Sequence, residues 1–255
     1  MRDSIAVAMS GGVDSSVAAW LLQQQGEQTV GVTMRLFTPE ELAPGQGERC
    51  HILEDIQDAR AVAAQLGIPH HALDLSGPFR ERVMEPFVRA YEQGRTPNPC
   101  VTCNRTIKFG ALLEAAGQLG CGRLATGHYA RTERDAGSGR VLLKRAVHPE
   151  KDQSYVLWSL SQAQLERVCF PLGGLSKEEI RAIAEEQGLV SARRRDSQDI
   201  CFVPDGDYAA FLCHHTGRTY PPGPFCDPEG RVLGVHEGII HYTVGQRRGL
   251  GISSE

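Results

Sequence analysis

The sequence is short of lysine: only Lys108, Lys144, Lys151 and Lys177 stand among its 27 basic residues. Against 31 acidic residues the formal net charge is −4, so no overall field draws the chain to nucleic acid, and any such contact has to come from local arginine clusters. No apolar run is long enough to cross a bilayer, and the N-terminus enters a strand-like segment without a signal peptide's apolar region and cleavage site. No membrane association and a cytoplasmic location are expected. A disulfide framework is not needed either, because a chain of 255 residues that is 41% hydrophobic buries a sizeable core without stapling. The eight cysteines therefore read as thiols or ligands. Cys121, Cys169 and Cys213 flank apolar runs and read as small buried hydrophobes, whereas Cys100, Cys103 and Cys201 lie among Pro, Asn and Asp. Zinc lacks a second close-spaced ligand pair, since His70-His71 and His214-His215 are adjacent residues that point opposite ways on a strand.

What is present is a loop. The apolar run Ile5 to Met9 leads into Ser10-Gly11-Gly12-Val13-Asp14-Ser15-Ser16, and apolar periodicity resumes from Val13 to Leu22. That is a strand, a tight glycine turn and a helix. The first amides of a helix have no intrahelical partners and sit at the positive end of its dipole, so the turn is a candidate phosphate site. A carboxylate beside phosphates repels them unless a divalent cation intervenes, which makes Asp14 a candidate Mg2+ contact. The Walker pattern G-x-x-x-x-G-K-[ST] puts a lysine here and this loop has none, which argues against ordinary γ-phosphate transfer. Ser10 to Ser15 instead resembles the PP-loop of ATP pyrophosphatases, which hold the pyrophosphate of ATP while adenylating a substrate.

Thr29 to Leu36 reads as a second strand with Met34 near its carboxyl end, residues 52 to 66 as a helix stopped by Gly67, and His70 to Leu75 as a third strand. The alternation predicts an α/β fold, a parallel sheet with helices on both faces and ligands beyond the strands' carboxyl ends. Phe79 to Gln93 is a further amphipathic helix, ended by the two prolines of Gly94-Arg95-Thr96-Pro97-Asn98-Pro99. Helical periodicity resumes from Asn104 to Leu119, so Cys103 is expected at a helix N-terminus, with Arg105 and Lys108 nearby to favour its thiolate. Arg123 to Tyr129 reads as a fourth strand ending at Gly127, which either admits a flat ligand such as adenine or is an ordinary strand-end glycine. Residues 130 to 147 form a hairpin pattern, and Ser176 to Glu179 is a capping box before a helix that Gly188 closes. The run Arg193-Arg194-Arg195 suits RNA or nucleotide phosphates, or else is a solvated face. From Asp207 the composition shifts to short Gly- and Pro-rich elements, which divides the chain into an ATP-binding domain, 1–206, and a small second domain, 207–255.

A nucleotide-activating loop together with Cys100-Val-Thr-Cys103 and Asp-Ile-Cys201-Phe couples ATP chemistry to sulfur. At this level the chain resembles the tRNA-specific 2-thiouridylases of the PP-loop, adenine nucleotide α-hydrolase-like class. The matching stretches are Ala8 to Ser15, Gly94 to Pro99, Cys103 to Phe109, Ala125 to Tyr129, Lys151 to Tyr155, Asp196 to Phe202 and Gly245 to Gly251. The resemblance implies ATP-dependent replacement of the position-2 oxygen of the tRNA wobble uridine by sulfur. It assigns ATP binding to Ala8, Met9, Ser10, Gly11, Gly12, Val13, Asp14, Ser15, Met34 and Gly127. It sets Asn98, Pro99 and Cys100 at the target base, and Lys151, Asp152 and Gln153 against tRNA. Cys201 then carries a persulfide received from a sulfur-relay protein or other sulfide source, and Cys103 is the nucleophile that ends as its disulfide partner. One familiar form of the motif has Asp where this chain has Cys100, a position with a catalytic role. With that carboxylate replaced, Cys100, Cys103 and Cys201 are also candidate ligands of a 4Fe-4S cluster with an open iron, and both sulfur routes stand. The resembling family adds a C-terminal β-barrel, which is expected to be absent from this chain. Another PP-loop synthetase and a non-catalytic tRNA-binding module are the remaining alternatives.

Overall fold

A computed structural model describes residues 4–45, 52–194 and 200–252. In chain order the elements are β1 (Ser4–Ala8), α1 (Val13–Gln24), β2 (Thr29–Arg35), α2 (Ile52–Leu66), β3 (His70–Asp74) and α3 (Ser76–Phe79). A π-helical turn (Arg80–Met84) runs into α4 (Glu85–Glu92), and α5 (Pro99–Cys103) passes through a second π-helical stretch (Asn104–Ala111) into α6 (Leu112–Gln118). Then come β4 (Cys121–Thr126), β5 (Ala130–Arg134), β6 (Val141–Arg145), α7 (Gln162–Leu165), β7 (Val168–Cys169), α8 (Lys177–Glu186), α9 (Tyr208–Thr216), β8 (Gly223–Cys226) and β9 (Val232–His236). Among the described residues no helix is long and apolar enough to cross a membrane.

The chain forms two compact units, interleaved along the sequence: residues 1–37, 51–82 and 100–198 make one, and 38–50, 83–99 and 199–255 the other. The first holds a five-stranded parallel sheet in the order β3-β2-β1-β4-β7. Alternation along β1 and β4 decides the packing. Ile5, Val7, Met9 and Ala125 meet Ala19 and Leu22 of α1 and Ala59, Val62 and Ala63 of α2. Ala6 and Leu124, of opposite parity, turn to the other face and are fully buried there. The outer side of α1, through Val13, Val17 and Ala18, packs on Ile180 and Ala184 of α8. The short β7 was not legible in sequence: two residues are too few for periodicity, and pairing with Leu124 and Ala125 alone makes them a strand. The β5–β6 hairpin is antiparallel, with Ala130 opposite Arg145.

In the second unit Phe87, Phe202 and Phe211 form an aromatic core, each ring pair 5.0 to 6.2 Å apart. The β8–β9 hairpin completes it as a separate two-stranded sheet.

Candidate active site

The sheet's order reverses beside β1: the chain moves outward through β2 and β3, then returns to β4 on the other side. Ligands in such sheets bind at the carboxyl ends of the strands flanking that switch. Ala8 is registered with Val32 and with Thr126, so the loop after β1, Met34 two residues beyond Val32 and Gly127 one beyond Thr126 all lie at this edge. Short local bonds hold the loop's shape. Ser10 N donates to Ser15 Oγ at 3.1 Å, and Ser15 Oγ and Ser16 Oγ donate to Gly12 O at 3.1 and 2.8 Å. Ser191 Oγ donates to Ser16 Oγ at 2.8 Å, buried. The intrahelical ladder begins with Ser16 N to Gly12 O, which leaves the preceding amides without intrahelical acceptors. Gly11 has φ +75°, and a Cβ there would lie 2.6 Å from Asp55 O. A Cβ on Gly127 would stand 3.0 Å from Asp14 C and Ser15 N. A side chain at 127 would thus crowd the loop's own backbone, a constraint beside the two readings of Gly127 open in the sequence.

The loop's missing lysine comes from elsewhere. Lys177, at the first position of α8 and with a side chain only 8% exposed, puts Nζ 2.7 Å from Asp14 Oδ1. Tyr129 OH donates to the same oxygen at 2.9 Å. Sequence reading missed both partners. Its one pointer to Lys177 was the capping box, in which Ser176 Oγ accepts from Glu179 N at 3.1 Å and fixes where α8 begins. Asp14 is the loop carboxylate that would hold a divalent cation beside phosphate. Tyr129 also anchors the next segment: its N donates to Gln153 Oε1 at 3.0 Å and its O accepts from Gln153 N at 2.8 Å. Asp152 accepts from Ala146 N and Ser154 Oγ, both at 2.7 Å, which holds its carboxyl below the usual range despite partial burial. These two side chains hold the 151–153 segment against the hairpin, and Lys151 beside them is half-buried.

Cys103 departs from expectation. The helix begins at Pro99 rather than Asn104, so Cys103 is a fully helical residue (φ −59°, ψ −47°), away from the amide end. It is buried, and desolvation pushes its thiol up to about 11; Lys108 pulls it down and Cys100 adds to the rise. Cys100, one residue into the helix, is exposed, as are Asn98 and Cys201, while Pro99 is buried. The π-helical stretch after Cys103 is held by Gln164, whose Nε2 donates to Arg105 O at 3.0 Å and Phe109 O at 2.7 Å. Buried His128, bonded to Thr126 Oγ1 at 2.7 Å, is held neutral well below its usual pKa by desolvation and then by Lys108. Arg194 is not open to phosphates: its Nε donates to Asp58 at 2.6 Å and its guanidinium also faces Asp55. Arg195 and the 196–199 stretch before Cys201 lie outside the described residues. Among the described residues no group of three or more His, Cys, Asp and Glu is gathered that could hold a metal.

The model of a tRNA methyl transferase HUP domain matches residues 3–205, and that of a tRNA methyl transferase PRC-barrel domain matches residues 209–255. The chain is 52% identical over 256 residues to a tRNA-specific 2-thiouridylase of Thermoanaerobacter sp., covering 100% of this chain and 70% of that protein. It is 46% identical over 253 residues to the tRNA-specific 2-thiouridylase of Clostridioides difficile, covering 99% and 70%. Among solved structures, a 4-thiouridine synthetase in complex with RNA and bound ATP superposes with a TM-score of 0.50 at 21% identity, over 80% of this chain and 46% of that one, which is a likeness of fold. Matched along its whole length by these relatives, the chain belongs to the tRNA-specific 2-thiouridylases, sulfurtransferases of the PP-loop superfamily.

Proposed function

We propose that this chain uses ATP to thiolate position 2 of the wobble uridine of tRNA. The observation that carries the proposal is the glycine loop at the switch point, whose first helical amides have no intrahelical acceptors and whose Asp14 is paired with a buried lysine from α8. Such a cradle suits pyrophosphate as a leaving group. Residues Ala8 to Ser15 hold the phosphates, with Met34 and Gly127 beside the nucleoside. Asp14 would hold Mg2+, which would supply positive charge against the phosphates.

The uridine oxygen attacks the α-phosphorus, pyrophosphate leaves, and a poor leaving oxygen becomes the oxygen of AMP. A persulfide on Cys201 supplies the sulfur: its terminal sulfur forms the bond to C2 as the C2–O bond breaks and AMP departs. Cys103 thiolate then attacks Cys201 Sγ, the sulfur–sulfur bond breaks, and the electron pair stays on the uridine sulfur. The product is the thiocarbonyl and a Cys103–Cys201 disulfide, which an external thiol reduces. Exposure of Cys201 suits loading by a sulfur-relay protein. Burial of Cys103 suits a nucleophile kept protonated until the substrate changes its surroundings. Asn98, Pro99 and Cys100 face the target base in this reading, and Lys151 to Gln153 the tRNA. Cys100, Cys103 and Cys201 are the residues that would hold a 4Fe-4S cluster with an open iron, the second route for the sulfur. The matching domain model carries a methyltransferase description, but methyl transfer calls for neither a pyrophosphate cradle nor a thiol pair.

The test is incubation of unmodified tRNA with ATP, Mg2+ and a sulfur source, followed by mass analysis of the wobble nucleoside. The expected result is a gain of sulfur for oxygen with one pyrophosphate released, lost in Cys103→Ser. Release of pyrophosphate without sulfur in the product would move the chain to another PP-loop chemistry, and absence of ATP-dependent release would leave a tRNA-binding module. Iron and sulfide analysis after anaerobic purification checks the cluster route: thiolation by iron-free protein sinks it.

A further inference from the structure

Two aromatic side chains stand out in water where nothing in the fold needs them. Tyr155 is 64% exposed and Trp158 72%, while Val156, Leu157 and Leu160 between and after them are buried. The backbone explains the arrangement. Leu157 N donates to Ser154 O and Leu160 N to Leu157 O, both at 3.0 Å, so residues 154–160 make two successive turns of three residues. Tyr155 and Trp158 each follow the first residue of one of those turns. Isolated exposed hydrophobes are ordinary, but two exposed aromatic side chains three residues apart offer more than one ring to a ligand.

That pair is tied to the nucleotide loop. Asp14 is bonded to Tyr129, and Tyr129 is bonded through its backbone N and O to Gln153, two residues before Tyr155. Cations lie along the same segment: residues 130–158 contain six Arg and Lys (131, 134, 140, 144, 145, 151) against four Asp and Glu (133, 135, 150, 152), with Lys144 paired to Glu133 and Arg134 to Glu166. Unpaired RNA bases stack on exposed aromatic faces, and cations beside the rings hold the backbone.

We infer that Tyr155 and Trp158 form a stacking platform for unpaired bases of the RNA whose uridine is presented to the Ser10–Ser16 loop. The inference rests on the proposed function and extends it to how the substrate's single-stranded loop is gripped.

The experiment measures affinity for unmodified tRNA at one fixed salt concentration, and thiolation kinetics, for wild type, Trp158→Ala, Trp158→Phe and Tyr155→Ala/Trp158→Ala. Trp158→Ala is expected to weaken tRNA binding and raise KM about tenfold or more, with kcat, ATP affinity and Tm little changed, and Trp158→Phe to restore most of the loss. Titration with a single-stranded oligonucleotide is expected to quench tryptophan emission in wild type and leave Trp158→Phe largely unresponsive; a duplex of equal length quenches neither. The inference is overturned if the double variant binds tRNA within twofold of wild type. It is equally overturned if Trp158→Ala keeps its tRNA affinity but no longer accepts sulfur from a donor protein, which would give this face to that protein. A wild type that binds tRNA and is quenched yet never thiolates would defeat the proposed reaction while leaving the platform standing.

Discussion

Replacing Lys177 by Met asks whether a buried ammonium is the loop's own counter-charge. Its side chain is 8% exposed and its Nζ lies 2.7 Å from Asp14 Oδ1. Removing one member of a well-buried pair costs about 3–5 kcal/mol, because the remaining charge is stranded. Asp14 keeps 31% of its side-chain exposure, so water takes up part of that charge. The expected cost is therefore about 2 kcal/mol, between the buried and exposed limits. For a domain of this size that lowers Tm by about 4–8 °C. Asp14→Asn strands the more deeply buried partner and is expected to cost more. The double variant removes both charges and is expected to fall short of the sum by about 1–2 kcal/mol, the coupling of the pair. Urea and thermal unfolding of the four proteins give the cycle, with pyrophosphate binding followed by calorimetry alongside. Loss of one charge-assisted contact predicts about tenfold weaker pyrophosphate binding in Lys177→Met. Additive single effects, or a Lys177→Met protein with unchanged Tm and pyrophosphate affinity, would refute the assignment.

Gly127→Ala forces a Cβ to within about 3.0 Å of backbone at Asp14 and Ser15, so α1 has to shift at its first turn. A loss of about 1–3 kcal/mol and weaker ATP binding are expected in thermal melts and nucleotide titration. Burial pushes the Cys103 thiol up to about 11, so little of it is thiolate at pH 8. Peptide mapping after alkylation is expected to show the exposed Cys100 and Cys201 modified first, and Cys103 only above about pH 10 or on unfolding; equal rates at pH 8 would contradict its burial. Gln164→Leu leaves the Arg105 and Phe109 carbonyls without their side-chain donor, an expected cost of about 1–2 kcal/mol in urea melts, with faster amide exchange across residues 104–111.

Much of the site is written in local pattern. The strand–glycine turn–helix at residues 4–24, the order of the first three strands, the capping box at Ser176 and the 130–147 hairpin all follow from periodicity and turn residues separated by a few positions. Those patterns also placed Ala8 to Ser15, Met34 and Gly127 at one sheet edge, because parallel strands joined by helices share a carboxyl side. What tertiary structure decided are contacts with no local trace. Lys177 meets Asp14 across 163 positions of sequence, and Tyr129 OH joins them across 115 from Asp14. Gln164 reaches back to two carbonyls of the π-helical stretch. Cys103 shows the limit most plainly. Spacing puts it near the start of a helix and beside cations, which argues for a thiolate; burial, which depends on everything packed around it, desolvates the charge and outweighs both. Sequence by itself determined which chemistry-bearing residues the chain carries and which edge of the sheet they reach. Only the packed structure decided their charge partners and the water around them, because electrostatic energy depends on distance and dielectric in space and not on position along the chain.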